Sequence, residues 1–235
     1  MPLRPGRAAA LLLAGAVWAS GPCAAQARNE VLRSEFWADV EPVAGVGEEW
    51  PVGPGEARRR ILDEAAWVFG GMIWGYEFSY TPYDRTRALA ERFDVAPIQS
   101  LEPGELLLAP EASPPPASPT RPDSLDRFYF LAQYRPDPGL VSLMDSYSSD
   151  PWKGAQGIGK ADMDGGVKGR RAAYIDGLRL SVRSLLQSLE PNKPRLVKGR
   201  VVFERPPPMA IIGGFYTVQV RARVMVTEVI PYKVY

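Results

Sequence analysis

The stretch GAQGIGKA, Gly154 to Ala161, has the spacing of a phosphate-binding loop: Gly154, four residues, then Gly159 and Lys160. Such a loop would cradle a nucleotide's phosphates with backbone N–H groups and place the lysine on the terminal phosphate. Two residues argue against that chemistry. The magnesium-holding Ser or Thr is replaced by Ala161, and the preceding SYSSDPW is polar and turn-like where a buried strand should end. A second candidate, Asp162-Met163-Asp164-Gly165-Gly166, hints at a calcium loop. Its later ligand positions fall on Gly166 and Ala173, so a turn before a helix is the expectation.

Other chemistry is restricted by composition. The chain has no His, and its one Cys, Cys23, lies in the leader. Without these the commonest general base, the thiolate nucleophile and the commonest zinc ligands are missing. Asp63 and Glu64 are neighbours on a helix and diverge, so they cannot act together on one bond. Neither a Ser-Lys dyad nor a lone tyrosine base has support from spacing. No catalytic residue, metal or cofactor is expected.

The residues that remain are suited to contact. Trp74, Tyr76, Phe78 and Tyr80 alternate along one predicted strand, where they form core or stack on a glycan or small ligand. Trp37 and Trp50, with Phe36, are read as an exposed patch for a partner. Arg221 and Arg223 are read as guards on a final strand, Phe215 to Val226, long enough to extend a partner's sheet. Trp37, Trp50, Trp74, Tyr76, Arg221 and Arg223 are therefore the candidate partner-binding residues.

These side chains need elements to hold them. Residues 1–27 read as a secretory signal peptide: Arg4 and Arg7, an apolar run from Ala8 to Ala19, then small residues at Ala25 and Ala27. Lipid attachment at Cys23 is the alternative, but Ser20, Gly21 and Pro22 precede it poorly. The remainder has 26 basic and 27 acidic residues, two arginines fewer than the full count of 28 Lys and Arg. A near-neutral chain without a basic run has no electrostatic footprint for nucleic acid. No later segment reaches the roughly 18–20 apolar residues of a spanning helix.

The glycine spacing recurs. Gly45-Val46-Gly47 precedes EARRRILDEAAWVF as Gly157-Ile158-Gly159 precedes KGRRAAYIDGLRLSVRSLLQSL, and Asp63 aligns with Asp176. Ala57, Ile61, Ala65 and Val68 form one apolar stripe; Ile175, Leu178, Val182, Leu185, Leu186 and Leu189 form the other. A strand follows each helix, MIWGYEFSY and RLVKGRVVF, and each copy closes with another, FLAQYR and YTVQVR. Two glycine pairs suggest a packing need, since Gly lets a helix approach a strand.

The fold class expected is α+β: two tandem β-α-β-β modules, each a helix packed on a small sheet. The first spans 28–145 and carries a long Pro-rich insert, 81–126, with a short helix at DRTRALAERF capped by Asp84; the second spans 146–235. Pro206 to Pro208 stay out of the ladder, and Gly213-Gly214 make a tight turn.

Gly157, Gly159, Ala161, Arg171, Ala173 and Asp176, with KGRVVF and GGFYTVQVRARVMV after them, resemble the strand-helix-strand-strand modules of bacterial envelope lipoproteins and flagellar assembly accessory proteins. That resemblance implies a non-enzymatic scaffold of the periplasm or the periplasmic side of the outer membrane. Its partners would be envelope or flagellar proteins or further copies of itself. The rival expectation is a periplasmic binder of a small ligand or glycan on the Trp74–Tyr80 strand.

Overall fold

The computed structural model describes residues 31–39, 53–110, 127–189 and 193–232. The signal-peptide segment with Cys23, the Gly45–Gly47 pair, Trp50 and most of the proline tract lie outside them. The described chain is mixed α+β, with three helices and two sheets.

The smaller sheet has the order β1-β5-β4, from β1 (Leu32–Asp39), β5 (Arg127–Tyr134) and β4 (Leu107–Pro110), all antiparallel. The larger has the order β3-β2-β7-β9-β6, with β8 also paired to β9. Its strands are β2 (Tyr76–Thr81), β3 (Arg92–Pro97), β6 (Lys153–Asp162), β7 (Leu196–Phe203), β8 (Met209–Ile212) and β9 (Phe215–Ile230).

Helix α1 (Pro54–Ile73) starts with Pro in its first turn, where the missing N–H costs nothing. It lies between the sheets: Phe69 meets Phe36 of β1 edge-on at 6.0 Å, and Trp67 meets Phe203 of β7 at 5.7 Å. Helix α2 (Pro138–Ser146) is capped by Asp137, whose side chain accepts from the Leu140 N–H at 2.9 Å. The Tyr147 hydroxyl after it donates to the Ile73 carbonyl at 2.7 Å, tying α2 to the end of α1.

Helix α3 (Gly166–Leu189) crosses β6 and β9. It is also reached from the far end of the sheet, because Arg179 pairs with Glu91 beside β3 while Asp176 accepts from the Lys160 N–H of β6 at 3.0 Å. The sheet therefore curls around this helix. Tyr76, Trp67, Tyr174 and Phe203 pack with centroids 4.7–6.4 Å apart where β2, α1, α3 and β7 converge. Each such pair contributes about 0.5–1.5 kcal/mol beyond area burial.

In the second half the chain runs β6-α3-β7-β8-β9, and Val197, Gly199, Val201 and Phe203 of β7 are buried as the alternation predicts. Of the expected helix stripe, Leu178, Val182, Leu185 and Leu186 are buried, Ile175 is half-buried and Leu189 is exposed. The buried face is wider than that stripe, since Arg170, Ala173, Tyr174, Gly177 and Ser181 are buried beside it. The Gly213-Gly214 turn joins β8 to β9 with φ of +60° and +82°, values that favour glycine at both positions.

The first half differs from the module expected. Its β2 pairs with β7 and β3, not with β5, so one sheet runs across the expected boundary at 145/146. The insert supplies two strands, and the helix expected at DRTRALAERF is a turn. Asp84 Oδ1 accepts from the Thr86 and Arg87 N–H groups, but Ala88 turns to φ +52° and the Asp84–Leu89 bridge closes the chain on itself. Residues Arg92–Pro97 then extend as β3 because Phe93 stacks on Phe78 at 6.0 Å.

Candidate functional site

The first turns of α1 carry a charged ridge at three- and four-residue spacing. Glu56 accepts from Arg59 at 2.7 and 2.8 Å and from Arg60 at 2.8 Å, and Arg59 also reaches Asp63 at 2.9 Å. These hydrogen bonds hold the Glu56 carboxyl down to about 2. The next acid, Glu64, turns inward against α3. It accepts from Arg170 Nε at 2.8 Å, Arg170 Nη2 at 3.0 Å and the Tyr174 hydroxyl at 2.8 Å.

This triad is almost dry, with the Arg170 and Glu64 side chains 9% and 14% exposed. Burial opposes the Arg170 charge, but the adjacent Glu64 carboxylate more than offsets it and the guanidinium holds its proton more firmly than usual. Burial, then the same carboxylate, pushes the Tyr174 phenol well above its ordinary value.

On its other side Arg170 stands over the Trp37 ring, 4.0 Å from the centroid, and Arg127 stands over the same ring at 4.1 Å. Two guanidiniums cannot share one face at that height, so they bracket the indole. Arg127 is paired with Asp39 at 2.8 Å, and both side chains are nearly inaccessible. Arg127 Nη2 and Arg170 Nη1 are buried without a hydrogen-bond partner among the described residues. Cation–π attraction, about 2 kcal/mol when desolvated, offsets part of that cost.

Between the first half of α1 and the start of α3 lies a cleft of about 420 Å³. Lys168, Arg170 and Arg171 line it opposite the α1 ridge. Arg171 is half-buried, stacked on Trp67 at 4.2 Å, and burial lowers its pKa from the usual guanidinium value. It also lines a neighbouring cavity of about 180 Å³ with Trp67, Gln99, Ser100 and Leu101.

The candidate partner residues are scattered. Trp37 is buried between the two arginines and Phe36 is buried against Phe69, so neither forms the exposed patch expected of them. Trp74 caps the C-terminus of α1, since Gly75 at φ +76° breaks the strand before Tyr76. Tyr76, Phe78 and Tyr80 are 1–3% exposed, and the Tyr76 hydroxyl donates to the Trp67 carbonyl at 2.8 Å. These rings are core and offer no glycan-stacking surface.

Strand β9 is paired by β6 on one side over Phe215–Val224 and by β7 and β8 on the other, so most of the stretch expected to extend a partner's sheet is already taken. Arg221 is exposed on its outer face, and Arg223 is held by Glu204 at 2.9 Å. The long edge is β6. Residues facing away from α3 there include Ile158, which with Ile212 and Phe215 of the neighbouring hairpin is 41–58% exposed.

The buried Arg170–Glu64 pair was missed from sequence. Its one signal was Arg170's place, three and four residues before Ala173 and Tyr174 on the stripe that packs inward.

Fold and cleft together define a small α+β protein whose chief polar feature is a desolvated charge network between two helices. A protein-family model matches residues 19–232, and the chain belongs to that family. An uncharacterized protein of Treponema pallidum (strain Nichols) is 29% identical over 203 residues, which cover 85% of this chain and 81% of the relative. No solved structure matches. Among the described residues no helix is long and apolar enough to cross a membrane.

Proposed function

We propose that this protein is a non-enzymatic, exported component of the bacterial cell envelope that acts by binding other proteins, as a structural or assembly factor. The observation that carries the reading is the outer face of β6, β8 and β9. Ile158, Ile212 and Phe215 stand exposed there beside a ten-residue strand edge that is unpaired among the described residues. An exposed apolar group next to a free edge is the usual substrate for strand addition by a partner. Lys153 and Lys160 near the ends of β6 limit indiscriminate pairing.

The leader-like pattern of residues 1–27 supports export, and the periplasm, at or near the outer membrane, is the location we propose. The module resemblance makes envelope assemblies, the flagellar apparatus among them, the setting in which partners are sought.

The test is a photo-crosslinking residue in place of Ile158, in the full chain in its native envelope, with products identified by mass spectrometry. An envelope protein or a second copy joined at position 158, and absent when the probe replaces Glu228, is the expected result. A chain that stays uncrosslinked at 158 overturns the reading.

A further inference from the structure

We propose that the cleft between the first half of α1 and the N-terminal turns of α3 binds a phosphate-bearing anion, gripped by Arg171 and Lys168. This inference is independent of the protein-binding surface on β6.

The first argument is the balance of charge. Five cationic side chains, Arg59, Arg60, Lys168, Arg170 and Arg171, line the cleft against three carboxylates. All three acids are committed: Glu56 to Arg59 and Arg60, Asp63 to Arg59, and Glu64 to Arg170 and Tyr174. Arg171 and Lys168 make no salt bridge or side-chain hydrogen bond among the described residues, and Glu64 and Asp63 act on the Arg171 charge only through space. Two uncommitted cations match a phosphomonoester dianion, whereas a carboxylate would neutralise one and leave the other.

The second argument is preorganisation. The Trp67 ring, 4.2 Å from the Arg171 guanidinium carbon, fixes the position of that group at the cleft while its N–H donors make no side-chain hydrogen bond among the described residues. Partial burial makes its charge costly without a partner, so an anion there gains more than it would on an open surface. Lys168 lies three residues earlier on the same helix face. Both stand at the start of a 24-residue helix with no acid in its first turn, where the helix dipole adds positive potential.

The third argument is room. The cleft is larger than a phosphate, and it shares Asp63 and Arg171 with the smaller cavity. That cavity offers Trp67 and Leu101 to an apolar group and Gln99 and Ser100 to a polar one. The ligand is therefore an organic phosphate, either free or as the headgroup of a lipid.

The test is calorimetric titration of the full chain with inorganic phosphate and with glycerol phosphate, against chloride at matched ionic strength, beside flotation with vesicles containing phosphatidic acid. Phosphate should bind where chloride does not, and more tightly at neutral pH than at pH 5, because a phosphomonoester gains its second charge near a pKa of about 6. Arg171→Gln should weaken binding by about tenfold or more, as expected for lost charge-assisted hydrogen bonds. Arg171 also covers Trp67, so the exposed Lys168→Gln is the second variant, expected to weaken binding without changing the melting curve. Arg221→Gln, on the outer face of β9, should bind as the parent does.

Vesicle binding without soluble binding would identify a lipid headgroup as the source; soluble binding would identify a free metabolite. Failure of every phosphate probe, or unchanged affinity in both variants, overturns the proposal.

Discussion

Gly159 of β6 lies directly under Gly177 of α3: a β-carbon on Gly159 would come 2.2 Å from the Gly177 nitrogen and 2.0 Å from the Ala173 carbonyl oxygen. A β-carbon on Gly177 would in turn meet Val220 of β9 at 2.5 Å. The helix backbone thus rests on the strand with no side chain between them. Close approach of α3 accounts for Gly157 and Gly159 of the apparent phosphate loop, though not for Gly154, and it fixes the line along which α3 delivers Arg170, Arg171 and Tyr174 to α1.

Gly159→Ala should therefore destabilise the fold by at least about 1–3 kcal/mol, the range of overpacking where backbone must move. Gly154→Ala, where the nearest atom is 3.9 Å away, should leave stability within about 0.5 kcal/mol. Chemical denaturation of the two variants makes the comparison. Equal effects would remove the close approach as the reason for Gly159.

The Glu64–Arg170–Tyr174 triad gives a second expectation. Glu64→Ala strands a buried guanidinium and should cost about 3–5 kcal/mol. Tyr174→Phe removes one hydrogen bond to a charged acceptor, about 1.5–3 kcal/mol. Adding Arg170→Met to Glu64→Ala should recover part of the loss, since no unpaired charge then remains. A double variant as unstable as the sum of its singles would show that the pair is not coupled.

Much of the second half was legible because periodicity there agrees with packing. The alternation of β7 and β9, the Gly213-Gly214 turn and the stripe on α3 all follow from apolar spacing. The first half was harder for identifiable reasons. Trp74 continues the apparent alternation of Tyr76 to Tyr80, yet Gly75 at positive φ separates helix from strand. Asp84 makes the local hydrogen bonds of a cap without a helix following, because Ala88 leaves the helical region. Pairing partners far apart in sequence carry no local signal: β2 joins β7 across more than a hundred residues, and Glu64 and Arg170 are 106 apart. Exposure of Trp37 was inferred from its residue type, whereas two arginines that are themselves unusual in being buried enclose it.

The outer face of the large sheet can be separated from the core by substitution. Ile158→Lys and Phe215→Lys should each change stability by no more than about 0.5 kcal/mol, because those side chains are already wet. Val220→Ala, fully buried beneath α3, should cost roughly 1–3 kcal/mol. If the lysine variants unfold as easily as the Val220 variant, the face is structural and not available to a partner.

Alkaline pH should unfold the protein through its tyrosines. Tyr76 and Tyr174 are fully buried donors, to the Trp67 carbonyl and to Glu64, and burial pushes both phenols well above their ordinary value. Tyr80, donating to Glu91, is also raised, by burial first and then by that hydrogen bond. A folded-state pKa above the unfolded value near 10 means that the stabilisation is complete below about pH 10 and is lost as pH rises beyond it. Each fully buried phenol can steepen the loss by up to about 1.4 kcal/mol per pH unit. Tyrosinate absorbance from these residues should therefore appear together with the loss of circular dichroism, and Tyr76→Phe should make the alkaline decline shallower. Ionisation of all tyrosines while the native spectrum persists would mean that the aromatic centre is open to solvent, contrary to the packing of Trp67, Tyr76, Tyr174 and Phe203 on one another.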